Sequence, residues 1–478
     1  MRTLLQKWKK ASPAVKASMA LLFSNIFLKG LSLISGPIFT RIMSADQYGV
    51  ISTFGSWQSL LSVVVTLNLA TGVFNNGMLD YKDHRDTFQF SLLTVSSISA
   101  VLFFLLFCCF SRTILEITDL SWTLVVILFL RFLLVPAYSY WSGRQRYEFR
   151  YKALTGITIG SALLSTTLGI IAVLSTEDQN HAIVKICVTE GVTILVGLFF
   201  YIRTAIKAKF KCNLSYCKYA LRFNIPLVPH YLSTYILASS DRIMISKIVS
   251  TAATAIYSVS YTVASVMTIL WQSIEASLSP WIYEKLSKGE KEPVKKLTLQ
   301  ITGLFAVMCL GCTLFAPEIM SILAPSQYME GIYAIPSIAA GVYFTAVYSL
   351  YMRVELYYKE TGFATLASTL AALVNIILNL IFIKLYGFIA AGYTTMICYA
   401  LLALFHYVNI KRRKHEDVFD NRKIWLISAL VLVISGAINM VYSVPVFRAM
   451  IILVVVLMLF LKRKQIVAIF SNRKKGQE

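Results

Sequence analysis

"FQFSLLTVSSISAVLFFLLFCCF", residues 88–110, contains no Asp, Glu, Lys or Arg. Coiled as an α-helix at about 1.5 Å per residue, it is long enough to cross ~30 Å of hydrocarbon. Runs of this kind recur along the chain. We place fourteen, at roughly 17–39, 48–70, 88–110, 120–141, 153–174, 182–203, 222–240, 251–273, 298–316, 332–352, 363–383, 387–409, 424–441 and 445–461. The composition agrees: 57% of the 478 residues are hydrophobic and 14% charged, where a soluble protein carries roughly a quarter charged. Mean hydropathy is +0.68. The ten-residue alternating strands of a membrane barrel are absent. The expected fold is therefore an all-α polytopic membrane protein.

A formal net charge of +22 suggests nucleic acid only if the charges form a patch. They fall instead in alternate connectors. About 36 of the 45 Lys and Arg lie on the side that holds the N-terminus, and about seven on the other. By the positive-inside rule that asymmetry orients the chain N-in and C-in with an even number of spans. The charge reads as topology, and no nucleic-acid partner is expected. No signal peptide is evident, since the first apolar run has full span length. No connector exceeds about twenty residues, which leaves no room for the soluble domain of a membrane glycosyltransferase.

The chain resembles itself. "RIMSADQYGVIS" (41–52) aligns without a gap on "KIVSTAATAIYS" (247–258), pairing Ile42 with Ile248, Ser44 with Ser250 and Ser52 with Ser258. "YSYW" (138–141) echoes "YSLY" (348–351) at nearly the same offset. An even number of spans between copies makes the repeat parallel, about an axis along the membrane normal. The expected domains are a six-helix bundle over 1–210, a second over 211–410, and two further spans with a basic tail over 411–478.

Charges inside the spans are the candidate functional groups. Lys29 lies mid-span with Asn25 one turn earlier on its face, and Arg131 lies in the middle of "VILFLRFLLVP". Each costs about 2.5–3.5 kcal/mol on insertion scales. Both are expected to face a wet cavity and attract an anion; the alternative is a buried structural ion pair, with Glu190 as the obvious partner. Glu190, Glu275 and Asp241 are candidates for gating or ion coupling, with ionic partnership to a neighbouring base as the competing reading. Asn375 and Asn379 share a face at i, i+4, and Gly156-x-x-x-Gly160 suggests close helix packing. The eight cysteines show no metal-ligand spacing, and no phosphate loop, catalytic carboxylate pair or nucleophile–base set appears. No enzyme activity, metal or cofactor is expected.

"LRFNIPLVPHYLSTYILASSDRIMISKIVSTAATAIYSVSYTVASVM" (221–267), "TRIMSADQYGV" (40–50) and "YYKETGFATLASTLAALVNIILNLIFIKLYGFIAAGYTTMICYA" (357–400) resemble corresponding segments of polysaccharide-unit flippases. The features are a Pro-Leu-x-Pro run leading to an Asp-Arg pair, an Asn-Ile-x-Leu-Asn pattern, and a Tyr-Gly-Phe-x-x-Ala-Gly turn. The resemblance implies the multidrug/oligosaccharidyl-lipid/polysaccharide exporter fold. It also implies movement of an undecaprenyl-diphosphate-linked oligosaccharide between leaflets of a bacterial cytoplasmic membrane, for O-antigen, capsule or exopolysaccharide. Asp241 and Arg242 carry over as the family's pair, with Arg242 joining Lys29, Arg131 and Asn25 as substrate-binding candidates. A monomer is expected, with a polysaccharide polymerase and chain-length proteins as candidate neighbours. The competing functions are a cation-coupled multidrug exporter, a peptidoglycan-precursor flippase and a non-transporting scaffold.

Overall fold

The computed structural model describes residues 13–461. Among them are α-helices joined by short turns and 3-10 segments, with no strand. In chain order the helices are α1 (Pro13–Ile42), α2 (Ala45–Val65), α3 (Val73–Asp80), α4 (Arg85–Cys109), α5 (Ser111–Thr118), α6 (Trp122–Tyr147), α7 (Tyr151–Leu174), α8 (His181–Lys207) and α9 (Leu214–Asn224). They continue as α10 (Val228–Ile248), α11 (Thr251–Ser287), α12 (Lys291–Leu314), α13 (Ala316–Leu323), α14 (Ile335–Tyr357), α15 (Thr361–Tyr386), α16 (Ile389–Arg412), α17 (Asn421–Val441) and α18 (Pro445–Leu461).

Eleven of these helices are long and apolar enough to cross a membrane. The other three expected spans fall on α2, on the α9–α10 region and on α18. Helix α2 carries Asp46, Gln47, Gln58 and several serines, and α10 carries His230, Asp241, Arg242 and Lys247. The run read as one span over 222–240 is broken at Ile225–Leu227, a 3-10 turn containing Pro226. Proline removes a backbone donor and crowds the preceding turn, so the helix restarts at Val228. Conversely, α11 runs on far past the expected 273. Its 37 residues make a rod ~55 Å long, longer than the hydrocarbon is thick.

The helices gather into two compact units that divide between Ile243 and Met244. Segment α9 docks on the first unit: the Asn213 backbone N–H donates to Ser91 Oγ at 2.9 Å, and Tyr219 Oη donates to Asp80 Oδ2 at 3.1 Å. Asn224 seals the junction, its amide donating to the Leu67 carbonyl and accepting from the Val73 N–H. Leu67 and Asn68 there hold left-handed backbone at φ 54° and 46°, a conformation that persists only where the surroundings enforce it.

The repeated segments form the same junction twice. Helix α1 ends at Ile42, and Ser44 Oγ accepts from the Gln47 N–H as N-cap of α2; α10 ends at Ile248, and Ser250 Oγ accepts from the Ala253 N–H as N-cap of α11. Short helix α5 recurs as α13 at close to the same offset. Left-handed Phe149 after α6 recurs as Lys359 after α14, and each sits in a turn closed by one backbone bond, Arg150 N–H to Gln145 O and Glu360 N–H to Glu355 O.

Because lipid is as apolar as a leucine core, close packing rather than water exclusion holds such helices together. A Cβ on Gly197 of α8 would lie 2.9 Å from the Leu134 carbonyl of α6. One on Gly392 of α16 would strike Ser337 of α14. The expected packing at Gly156 and Gly160 is corrected here: both are exposed, with open space beside them. Leu102, Leu105 and Leu106 of α4 and Leu430 and Val433 of α17 are more than half exposed, as side chains solvated by lipid are. The Cys212 and Cys217 thiols lie 3.5 Å apart and unbonded. Burial, then Cys212, pushes Cys217 up to about 12, so it stays a thiol at neutral pH.

Candidate functional site

The first unit contains a charged constellation inside the spans. Arg131 of α6 donates through Nη1 to Glu190 of α8, and the two side chains are 23% and 16% exposed. Gln58 of α2 completes the group. Turned to satisfy both neighbours, its amide oxygen accepts from Arg131 Nε at 3.0 Å and Nη2 at 3.3 Å, while its nitrogen donates to Glu190 Oε1 at 3.2 Å; hydrogen bonding sets that orientation. Three helices are thus joined across one guanidinium. Arg131, expected to face a wet cavity and attract an anion, has its donors engaged by Glu190 and Gln58, as a mid-span cation is stabilised by a nearby carboxylate. One turn back along α8, Lys185 Nζ sits 4.6 Å from the centroid of the Phe39 ring.

We expect Glu190→Ala to destabilise the protein by about 1–3 kcal/mol, by leaving the guanidinium uncompensated. The Arg131→Glu/Glu190→Arg double variant should recover most of the loss. Thermal unfolding of the detergent-solubilised variants measures both, and additive losses would refute the pair.

Lys29 is different. It is exposed on α1, and among the described residues it makes no hydrogen bond or ion pair. Asn25 and Ser32, one turn to either side, are exposed on the same stripe, while Ser24 on the opposite face is buried and donates to the Ala20 carbonyl. The stripe is polar along the middle of a span, where exposed residues facing lipid would be apolar.

Asp241 and Arg242 lie near the end of α10. Asp241 is 1% exposed, and its Oδ1 accepts from the Arg242 N–H at 2.9 Å. Arg242 Nη1 donates to the Ala238 carbonyl at 2.9 Å and lies 3.6 Å from Asp241 Oδ1. Adjacent residues on a helix point about 100° apart, so the contact is local and partial. In the second unit Glu275 of α11 accepts from Arg353 of α14, at 3.0 Å from Nε and 2.7 Å from Nη2.

Residues 14–286, more than half of the chain, match the model of a family described as "Polysaccharide biosynthesis protein". The chain belongs to that family. Its matched region takes in every candidate residue above except Arg353. A Haloferax volcanii protein named "Probable low-salt glycan biosynthesis flippase Agl15" is 21% identical over 397 residues, 82% of each chain. The fold is also that of solved transporters. A lipid II flippase, MurJ, in an inward closed conformation superposes with TM-score 0.65 at 16% identity, over 95% of this chain and 100% of that one. An inward-facing multidrug resistance MATE family transporter of the MOP superfamily superposes at 0.53 and 12% identity, over 83% and 94%. This polysaccharide biosynthesis protein is a multi-pass helical membrane protein with the fold of those transporters.

Its second unit holds a buried constellation that span-by-span reading missed. Glu355 of α14 is 1% exposed; its Oε2 lies 2.8 Å from His406 Nδ1 of α16, and its Oε1 accepts from Asn409 Nδ2 at 2.8 Å. Arg353 and Glu355 fall beyond the end expected for that span at 352, whereas α14 continues to Tyr357. The available signal was periodic: Tyr351, Val354 and Glu355 share a buried helical face, so the carboxylate interrupts an apolar stripe. Asn375 and Asn379 of α15 are buried and bonded across helices, Asn375 Nδ2 donating to Thr395 Oγ1 at 3.2 Å and Asn379 accepting from Thr394 Oγ1 of α16. No cluster of three His, Cys, Asp or Glu with metal-binding geometry occurs among the described residues.

Proposed function

We propose that this protein moves a polyprenyl-diphosphate-linked oligosaccharide between membrane leaflets by alternating access. In a bacterial cytoplasmic membrane the carrier is undecaprenyl, and the product feeds surface polysaccharide such as O-antigen, capsule or exopolysaccharide. The observation that carries this reading is Lys29, an exposed mid-span cation with no partner among the described residues, on a stripe with Asn25 and Ser32. An uncompensated charge at that depth is expensive, and an anionic ligand offsets the penalty. Family membership and the flippase name of the archaeal relative point to the same cargo class.

The chemistry follows from the cargo. Its isoprenoid tail remains in lipid, so only the diphosphate and glycan need shelter. The Lys29 ammonium binds phosphate oxygens through charge-assisted hydrogen bonds, with Asn25 as an additional donor. The Arg131–Glu190–Gln58 group braces the helices of the same unit. Asp241 limits the swing of Arg242, which presents a second cation at the end of α10 and acts in gating. The Tyr348 and Tyr399 rings are half-buried and parallel, 2° apart in plane with centroids at 6.2 Å, a surface on which sugar faces stack. Glu275, neutralised by Arg353 beside Tyr348, braces that ring pair.

Purified protein in liposomes should transfer defined diphosphate-linked oligosaccharides from one leaflet to the other. Transfer is read by glycan accessibility to an external glycosidase, with and without proton and sodium gradients. Absence of transfer together with uptake of cationic drugs would overturn the proposal in favour of a multidrug exporter.

A further inference from the structure

Helix α9 has two faces. Cys217 and Ala220 are buried, and Tyr216 and Tyr219 pack on Tyr81 and Phe88 with ring centroids between 4.5 and 6.5 Å. The outer face bears Leu214, Lys218, Leu221, Arg222 and Ile225 at helical spacing. Leu214 is 82% exposed and Ile225 52%, and Phe210 in the turn before the helix is 70% exposed. Together with Pro226 and an edge of Cys217 these residues line an open groove of about 690 Å³. Such a face is neither the polar surface of a solvated helix nor the apolar surface of a lipid-immersed one. It matches an amphipathic helix lying in the interface, where headgroups meet acyl chains.

Charge identifies the occupant. Between Glu190 and Asp241 the sequence contains six basic residues, Arg203, Lys207, Lys209, Lys211, Lys218 and Arg222, and no acidic one. The carboxylate that reaches α9, Asp80, is engaged by Tyr219 on the inner flank. The chain's own segments outside the described residues are basic as well, with Arg2, Lys7, Lys9 and Lys10 at one end and Lys462, Arg463, Lys464, Arg473, Lys474 and Lys475 at the other, so like charge disfavours either as the ligand.

We infer that this groove binds an anionic membrane phospholipid. Lys218 and Arg222, one turn apart, hold the headgroup phosphate through charge-assisted hydrogen bonds. Leu214, Leu221 and Ile225 receive the upper part of an acyl chain. Docked on α4, α9 thereby ties the connector between α8 and α10 to the bilayer surface. The site is separate from Lys29 and does not depend on the nature of the transported cargo.

The test uses the full-length chain in vesicles doped with photoreactive phosphatidylglycerol or photoreactive phosphatidylcholine, with the labelled peptides mapped. Phosphatidylglycerol should label residues 206–226. At about 1 kcal/mol per basic residue, Lys218→Gln/Arg222→Gln should lower that labelling roughly thirty-fold, and millimolar inorganic phosphate should not compete. Leu214→Ser/Ile225→Ser, which keeps the charges, should lower it less while shifting the remaining label toward the headgroup residues. Equal labelling by the two lipids, an unchanged yield in the charge-neutralised variant, or label confined to other segments would overturn the proposal. Displacement by inorganic phosphate would overturn it too, since the site would then recognise a free anion and not a lipid.

Discussion

Lys29→Ala should lower leaflet transfer of a diphosphate-linked oligosaccharide by ten- to a hundred-fold while leaving the protein as stable as before. The first half follows from the ligand. Hydrogen bonds to charged groups contribute about 1.5–3 kcal/mol, and each 1.4 kcal/mol is a factor of ten. The second half follows from the structure, because Lys29 has no partner among the described residues and its removal breaks nothing. Replacing it by Met even removes an insertion penalty of about 2.5–3.5 kcal/mol. Lys29→Arg keeps a cation with several donors at that depth and should retain most activity. Transfer assays on reconstituted protein, paired with melting curves in detergent, separate the two halves. Full transfer by the alanine variant would falsify the role of the ammonium; a large fall in stability would show a structural part for it instead.

Glu355→Ala should have the opposite signature. Both carboxylate oxygens are occupied at 2.8 Å, by His406 and Asn409, and the His406 ring lies between Tyr348 and Phe363, with centroids 6.0 Å from each. Removing the carboxylate from a buried, hydrogen-bonded group leaves its partners desolvated and unmatched, at a penalty of about 1–3 kcal/mol for each. Glu355→Gln, which keeps the volume and can still accept, should lose less. The triple variant Glu355→Leu/His406→Leu/Asn409→Leu removes every polar partner together and should regain much of the stability of the native protein. Melting temperatures across this series are the measurement. If the triple variant melts as low as Glu355→Ala, packing and not polar satisfaction holds α14 to α16.

Elements that depend on local chain properties were legible beforehand. Long uncharged runs became helices, and Ser44 and Ser250, matched as letters in a repeat, both became N-caps. Two boundaries were misjudged for identifiable reasons. Pro226 lies inside an apolar run and stops a helix that hydropathy alone would continue. The span read over 332–352 stops short of Glu355, which is sheltered by two partners on a distant segment.

For this protein the sequence alone settles the solvent and the backbone. A chain this apolar must satisfy its amides internally, and helices are how it does so. It also locates the mid-span charges, because position within an apolar run is a property of neighbours along the chain. Which of those charges are available is a property of neighbours across space, and only the tertiary structure decided it. Arg131 and Glu275 found partners 59 and 78 residues away, while Lys29, equally conspicuous in the sequence, was left facing outward. Pairing energy depends on distances of a few ångströms between helices, and no spacing along the chain encodes those distances.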